Sequence, residues 1–372
     1  MLELLFELIP YILLVSLLLI PLIINPKNNN KKYFWFCTII ITSFSALRYG
    51  VGWDYFNYCR AIELDDWQVD RLELLMRMLA KFSYSINYPH FFILVTGVLT
   101  VGLYAYVFAK RSISPLTSML VFLGMPFLFL SGISIVRFAL AVAVVLLASM
   151  YYKKPIIYFS LIVVAFFTHR AAILGAIVWP FLGIIKINIR VNWIIFIVGL
   201  VASFLPMVMA PIFSGIMNAF SNVGFLDESV NAANKYMEGF SSSGFSRLPY
   251  AYALINLLNL INYKELCNRN PETEVAKLIS LYNIGTAIML FLSFDAIFAS
   301  RLGQLFMVFI VLLVPYYLTL KSNASYYVVI TMIVGLFFLQ LTIPGSHIDF
   351  IGRWNCFLPY RTIFSEGALM YY

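Results

Sequence analysis

Charged residues are scarce in this 372-residue chain: they make up 11% of it, while 62% of it is apolar. The chain also lacks segments of about ten residues that alternate in polarity, which excludes a transmembrane β-barrel. It has instead many apolar runs of about 15 to 22 residues, the length at which a helix crosses a bilayer. We therefore predict an all-α, polytopic membrane protein with a single membrane domain over residues 1–372.

Sequence motifs of several other chemistries are missing. The four cysteines show no C-x-x-C spacing, which argues against a metal site built on thiols. The chain has no P-loop, no G-x-S-x-G and no H-E-x-x-H, which disfavours an ATP-driven pump and a zinc protease. We expect neither a metal nor a cofactor.

The apolar runs predict about twelve transmembrane helices. They lie at residues 4–24, 33–47, 90–109, 115–131, 133–152, 155–168, 171–185, 191–211, 249–263, 278–294, 303–320 and 326–343. The basic connections fall on alternate sides of these helices, and short basic loops stay in the cytoplasm. This rule gives the predicted orientation of the chain.

The two predicted sides differ in their basic residues. The cytoplasmic side holds ten lysines and three arginines, and the outer side holds ten arginines and two lysines. The net charge of +8 is therefore a topology signal, and we draw no nucleic-acid partner from it. Guanidinium binds phosphate with two parallel hydrogen bonds, so the outer arginines predict a phosphate-bearing ligand. Pairing with the outer carboxylates is the alternative.

Two outer connections are long enough to carry function. Within residues 48–89, the stretch 65–82 has apolar residues at helical spacing and predicts a helix lying in the membrane interface. Residues 212–248 contain "MEGFSSSGFSR", which predicts a flexible outer loop or a flap over a site.

Ionisable residues at the membrane rim are few, and each is a functional candidate. Arg48 and Asp54 follow the second helix and flank Gly50 and Gly52, which permit turns that fold the two charges together. A salt bridge that caps the helix is the alternative. Arg137 lies one turn into an otherwise uncharged helix, where it either binds an anion or extends to the interface.

Three further outer residues are candidates. His169 stands between two apolar runs, as a general base or as a structural histidine. Arg301 is a phosphate ligand or forms a local ion pair with Asp295, and Arg353 joins the same outer set of arginines from near the end of the chain.

The element "RYGVGWDYFNY" at residues 48–58 resembles the R-x-x-x-G-x-D-Y-x-x-Y signature of the EpsG-like, Wzy-type polysaccharide polymerases. Later landmarks of that family are similar as well. They are Glu73, Arg137, His169, Arg301 and the closing pair Pro359–Tyr360.

The resemblance implies a GT-C-like fold and a membrane glycosyltransferase. Such proteins transfer a glycan from undecaprenyl diphosphate to the non-reducing end of another lipid-linked repeat unit. The resemblance also implies a multi-pass protein of the bacterial inner membrane whose active site faces the periplasm. The lipid-linked oligosaccharide and the bilayer are the expected partners, and a chain-length regulator and a flippase are candidate protein partners.

This chemistry gives the candidate residues roles. Asp54 or His169 is the general base, and we favour Asp54 because a carboxylate beside Arg48 stays ionised. Four arginines are candidates for holding the diphosphate, and three aromatic residues of the first outer loop are candidates for stacking on sugar rings. They are Arg48, Arg137, Arg301 and Arg353, and Trp53, Tyr55 and Tyr58.

Other functions fit the same membrane architecture. A ligase that moves a finished glycan onto a lipid A core or a protein would use the same donor. A flippase or transporter of the lipid-linked sugar would place charges along a central path and often shows two similar halves. An O-acetyltransferase would need a histidine deep in the membrane.

Overall fold

The computed structural model describes residues 2–185, 187–220, 248–293, 296–343, 352–353 and 355–365. Within these residues every regular element is a helix, and one isolated β-bridge joins Arg48 to Thr362. The chain divides into two compact units. The first unit comprises Met1–Gly183 and Val311–Tyr372, and the second comprises Ile184–Ile310.

Most α-helices belong to the first unit. They are α1 (Leu2–Ile24), α2 (Lys31–Ala46), α3 (Tyr55–Glu63), α4 (Trp67–Asp70), α5 (Leu74–Ser85), α6 (His90–Arg111), α7 (Pro115–Gly124), α8 (Phe129–Ser134), α9 (Val136–Ala148), α10 (Pro155–Thr168) and α11 (Val178–Gly183). The helices of the second unit follow. They are α12 (Ile189–Ser203), α13 (Pro206–Phe220), α14 (Leu248–Ile261), α15 (Tyr263–Arg269), α16 (Val275–Phe291) and α17 (Ala296–Met307). The last two helices of the chain are α18 (Ile310–Leu313) and α19 (Ala324–Thr342), and three 3-10 helices cover Ser149–Tyr151, Arg170–Ile177 and Val314–Thr319.

Several of these helices are suited to cross a membrane. Among the described residues, four spans are long and apolar enough: Leu4–Ile24, His90–Arg111, Ala299–Thr319 and Ala324–Thr342. The bent pair α12 and α13 would make a fifth. The prediction of an all-helical, polytopic membrane protein is therefore confirmed. Of the remaining predicted spans, 33–47 corresponds to α2 and the others overlap shorter apolar helices, so the count of twelve and the GT-C-like architecture stay predictions.

The two predicted outer connections are described to different extents. Residues 48–89 contain α3, α4 and α5, and the stretch 65–82 forms two helices separated at residues 71–73 rather than one. Met76 of α5 is buried in one apolar cluster with Ile62 and Phe92, whereas Leu75 and Met78 are exposed. The position of α5 at a membrane interface stays a prediction. In the connection 212–248, residues 221–247 lie outside the described residues, and α13 covers the part before them.

The second unit is held together by close helix packing and buried amides. A Cβ added to Gly285 on α16 would lie 2.7 Å from the carbonyl oxygen of Gly303 on α17, so the two backbones are nearly in contact. Asn283 donates to the carbonyl and side-chain oxygens of Asn192 at 2.9 and 3.0 Å, and Asn256 donates to Asn283 at 2.7 Å. These three amides are fully buried and join α12, α14 and α16 by hydrogen bonds.

Candidate functional site

The loop after α2 is built together with a distant part of the chain, the closing segment, which comprises the described residues among 352–365. The N–H of Tyr49 donates to the carbonyl of Arg361 at 2.8 Å, and that of Ile363 donates to the carbonyl of Leu47 at 3.0 Å. The N–H of Gly52 donates to the carbonyl of Cys356 at 2.9 Å. This backbone pairing holds residues 47–52 against the closing segment.

Arg48 lies at the centre of this pairing and is fully buried. Its Nε donates to the carbonyl of Val51 at 3.2 Å, one terminal nitrogen donates to the carbonyl of Ile133 at 3.1 Å, and the other donates to the carbonyl of Ser45. Burial lowers the pKa of Arg48 to about 10, so the guanidinium is still protonated at neutral pH. Its hydrogen bonds within the described residues go to carbonyl oxygens rather than to Asp54. Its predicted contact with diphosphate stays a prediction.

Gly52 allows the loop to pass directly over α8. Its φ is +103°, and an added Cβ would lie 2.3 Å from the carbonyl oxygen of Ile133, the oxygen to which Arg48 also donates. Only glycine combines this backbone conformation with so close an approach. The predicted role of this glycine in turning the loop therefore agrees with its geometry.

The closing segment contributes two more side chains. Arg353 is partly buried and donates from Nη2 to the carbonyl of Gly50 at 2.5 Å. Tyr360 stacks on Phe44 with ring centroids 3.8 Å apart, and its hydroxyl donates to the Phe44 carbonyl at 2.8 Å. Arg353 thus supports the loop in this structure, and its predicted diphosphate contact stays a prediction.

Arg137 has a different environment at the start of α9. Its Nε donates to the hydroxyl of Tyr58 at 2.6 Å, and Nη1 forms an ion pair with the carboxylate of Glu73. The guanidinium also lies 5.6 Å from the centre of the Tyr58 ring. The side chain of Arg137 is 24% exposed, and Nη2 makes no hydrogen bond to any residue that the structure describes. Arg137 is therefore oriented on one side and has donors left for a ligand.

Glu73 lies between α4 and α5, at the N-cap position of α5. Its side chain is only 10% exposed and has two partners among the residues described: Arg137, and the backbone N–H of Arg170 at 3.2 Å. One carboxylate thus connects three distant parts of the first unit. The sequence indicates Glu73 only as a family landmark, because no spacing links residue 73 to residue 137.

Asp54 and Tyr58 stand on one side of α3. Asp54 is half-buried at the N-cap position, and its carbonyl accepts the N–H of Tyr58 at 3.0 Å. Burial raises the pKa of Tyr58 to about 12; the Arg137 cation opposes this shift and the Asp54 charge adds to it. The predicted base therefore lies one helical turn from the phenol that orients Arg137.

His169 lies where α10 ends, at the break that the sequence indicates. It has an extended backbone, and its Nδ1 accepts the N–H of Ala171 at 3.2 Å, which caps the 3-10 helix Arg170–Ile177. A nitrogen that accepts a hydrogen bond carries no proton, so neutral His169 has its proton on Nε2. The ring meets that of Phe138 edge-on at 5.2 Å. His169 therefore has a structural role in the cap and offers a donor rather than an acceptor at Nε2.

The aromatic residues of the loop are not equivalent. Trp53 is half-buried, whereas Tyr55 is buried and packs against Tyr49 and Phe56. The Tyr55 hydroxyl bonds Nδ1 of His90 at 2.9 Å, and Nε2 of His90 bonds the Ala46 carbonyl at 3.0 Å. Because a carbonyl only accepts, His90 donates from Nε2 and Tyr55 donates to Nδ1. Sequence reasoning missed His90. Glycan stacking by Trp53, Tyr55 and Tyr58 stays a prediction.

Arg301 belongs to the second unit, on α17, two residues before the packing glycine Gly303. Its Nε is buried and has no hydrogen-bond partner among the described residues. Asp295, its alternative partner, lies outside the described residues. Buried donors are normally satisfied, so an orphaned N–H marks a place where a ligand or water supplies the acceptor. This arrangement suits the predicted anion contact, which stays a prediction.

Comparison with known proteins bears on these landmarks. Neither the search of curated proteins nor that of solved structures finds a match. A family model described as the EpsG family matches residues 31–362, which include every landmark of the resemblance. Membership in this family suggests a polysaccharide polymerase-type membrane protein. A match over most of the sequence shows that the chain belongs to the EpsG family.

Proposed function

We propose that this protein is a polysaccharide polymerase that acts on lipid-linked sugars. It transfers a glycan from undecaprenyl diphosphate to the non-reducing end of another lipid-linked repeat unit, at the outer face of the bacterial inner membrane. Its fold in this proposal is a GT-C-like bundle of about twelve membrane helices with the arginine-rich side outward. A chain-length regulator and a flippase are its candidate protein partners.

The observation that carries this proposal is the environment of Arg137. Tyr58 and Glu73 fix Nε and Nη1, and Nη2 makes no hydrogen bond within the described residues. A guanidinium held in this way directs its remaining N–H groups to one side, which suits the oxygens of a diphosphate. Negative charge develops on the diphosphate as the lipid carrier leaves, and donors oriented in advance stabilise that charge.

In the transfer, an acceptor hydroxyl oxygen bonds to the anomeric carbon of the donor glycan. The bond between that carbon and the diphosphate oxygen breaks, and the lipid diphosphate leaves with its electron pair. The acceptor proton goes to the carboxylate of Asp54. Asp54 suits this role better than His169, because Nδ1 of His169 already accepts from Ala171 and Nε2 holds a proton.

The other three arginines divide between two proposed roles. The Nε of Arg301 has no hydrogen-bond partner among the described residues, which supports its proposed role as a phosphate ligand. Arg48 and Arg353 donate to backbone carbonyls, which supports a role in holding the loop that carries Asp54. Trp53 is the stacking surface that we propose for a sugar ring.

Reconstitution tests the reaction. Purified protein in vesicles receives a repeat unit linked to undecaprenyl diphosphate, without nucleotide, and the products are separated by size. We expect a ladder of oligomers and the release of free lipid diphosphate. One transfer to a lipid A core without a ladder would assign a ligase, and movement of the substrate across the bilayer without transfer would assign a flippase.

A pair of matched variants tests the base. Asp54→Asn is expected to bind the lipid-linked substrate but to lose the ladder, because the neutral amide cannot take the proton. Asp65→Asn is the control, since Asp65 is an exposed carboxylate of the same loop whose φ of 44° asparagine also adopts. An unchanged ladder with Asp54→Asn would remove Asp54 from the mechanism.

A further inference from the structure

A cavity lies at the opposite end of α2 from the Arg48 loop. It measures about 390 Å³ and lies between the start of α2, the end of α6 and the start of α7, all in the first unit. Two lysines, Lys31 and Lys110, line it, and we call it the lysine cavity. Its volume lies within the range of small-molecule sites.

The walls of the lysine cavity combine cationic, polar and apolar groups. Lys31 and Lys110 are exposed and form no ion pair with any carboxylate in the described part of the chain. The buried side chain of Phe34 and the half-exposed indole of Trp35 add an apolar wall. A ligand for such a cavity carries negative charge at one end and hydrocarbon at the other.

The rim of the cavity is fixed by local hydrogen bonds. Asn29 donates from its amide to the carbonyl of Ile113 at 3.3 Å, which ties the turn before α2 to the turn before α7. The side-chain oxygen of Asn30 accepts the N–H of Tyr33 at 3.1 Å and caps α2. The positive end of the α2 dipole therefore lies at the cavity beside Lys31.

The position of the cavity along the helices is that of a membrane interface. Lys110 lies in the last turn of the span His90–Arg111, where the hydrocarbon region ends and headgroups begin. Trp35 is 45% exposed one turn into α2, and tryptophan is enriched at this depth of a bilayer. The anionic groups present at this depth of a bilayer include the phosphates of the headgroup layer.

We propose that the lysine cavity binds the phosphate headgroup of an anionic phospholipid. The two ammonium groups contact the phosphate oxygens, and Phe34 and Trp35 contact the glycerol and the first methylene groups. Basic pockets between membrane helices on the cytoplasmic side bind such headgroups. The lysine-rich side is the predicted cytoplasmic side, so the lipid belongs to the inner leaflet. This site is independent of the proposed transferase activity.

Lipid titration tests the proposal on the full chain. The wild type, Lys31→Gln/Lys110→Gln and the control Lys153→Gln/Lys154→Gln are placed in nanodiscs of zwitterionic lipid, and phosphatidylglycerol is added in steps. The control removes two exposed lysines from another connection of the predicted cytoplasmic side. Bound phosphatidylglycerol is counted by native mass spectrometry.

We expect the wild type and the control to retain one phosphatidylglycerol with the same affinity. Loss of both cavity lysines is expected to weaken binding roughly 30-fold, since each lysine near an anionic lipid contributes about fivefold. Equal binding by all three proteins would overturn the proposal. An equal loss in the control would overturn it as well, because that result would indicate general surface attraction.

A measurement on the wild type alone covers the case in which the double variant fails to fold. Lysine amines are acetylated by a water-soluble reagent in three samples: zwitterionic nanodiscs, zwitterionic nanodiscs with inorganic phosphate, and phosphatidylglycerol nanodiscs. We expect phosphatidylglycerol to protect Lys31 and Lys110 and to leave Lys153 and Lys154 reactive. Protection by inorganic phosphate alone, with none from the lipid, would assign a soluble phosphate ligand and overturn the lipid site.

Discussion

The regions around Arg48 and Arg137 use the same residue type in opposite ways. The guanidinium of Arg48 is fully buried, and its partners are three backbone carbonyls from the loop, the end of α2 and α8. The guanidinium of Arg137 is partly exposed, and its partners are the side chains of Tyr58 and Glu73. The first arrangement buries the cation against the backbone, whereas the second leaves the cation partly exposed, as the proposed diphosphate contact requires.

This difference separates the residues of the family signature into two groups, one that folds the loop and one that we assign to the proposed chemistry. Arg48 and Gly52 belong to the part that folds the loop, because both meet the carbonyl of Ile133. Tyr58 contacts Arg137 and Asp54 lies one turn before Tyr58, so we assign both to the part that carries the proposed chemistry. Residues that stand together in one motif thus serve either the folding of the loop or the proposed chemistry, and substitutions separate the two.

The largest expected effect is that of Arg48→Lys. One ammonium group cannot reach three carbonyls on different elements, so buried acceptors lose their donor. We expect a loss of stability of about 3 kcal/mol or more and, with it, the loss of activity. The melting temperature and the yield of monodisperse protein in detergent measure this loss. Arg60→Lys, at an exposed position on α3, is the control and should melt like the wild type.

The second largest effect is expected for Arg137→Lys, which tests the partly exposed arginine of the comparison. The ammonium keeps the charge near Glu73 but lacks the planar fork that would bind two diphosphate oxygens. We expect normal melting and a fall in turnover of about 100-fold, or about 2.7 kcal/mol. Wild-type turnover would remove Arg137 from the diphosphate site. Melting as poor as that of Arg48→Lys would make both arginines structural.

Gly52→Ala tests the loop without changing any charge. The new methyl group would clash with the Ile133 carbonyl at 2.3 Å, and alanine disfavours a φ of +103°. We expect a loss of stability of about 2 kcal/mol, measured by thermal melting. Gly102→Ala on α6 is the matched control, because a Cβ there meets nothing within 4 Å. Equal melting of the two variants would contradict the close passage of the loop over α8.

The sequence predicts the class of the fold better than it predicts the hydrogen-bond partners of the candidate residues. Long apolar runs predict membrane helices because bilayer thickness sets their length. The hydrogen-bond partners of Arg48 and Arg137 are harder to predict because they are far away in the sequence. Ile133 is 85 residues from Arg48, and Glu73 is 64 residues from Arg137. A backbone carbonyl also has no residue type by which a motif is recognised.

Neutral polar groups are also not identified from the sequence, because the search there is for ionisable residues. Searching for ionisable residues inside apolar segments finds Arg137 but overlooks Asn192, Asn256 and Asn283, which carry no charge and yet connect three helices of the second unit. The polar residues around position 169 predict the end of a helix there, and α10 ends at Thr168. The sequence does not predict that His169 caps the next helix. The sequence pattern therefore identifies ionisable positions such as 137 and 169, and the structure is needed to assign their contacts.

The smallest expected effect is that of Tyr58→Phe, which removes only the oxygen that accepts from Nε of Arg137. The ring near the cation and the Glu73 ion pair remain, so we expect normal melting and a fall in turnover of about fivefold. Because the pKa of Tyr58 is raised to about 12, its phenol stays protonated from about pH 6 to about pH 10. The rate should therefore fall by the same factor at every pH in this range, as a positioning role requires. If the variant instead loses one limb of the pH profile of the wild type, Tyr58 exchanges a proton with substrate, and the proposed assignment of the base to Asp54 is wrong.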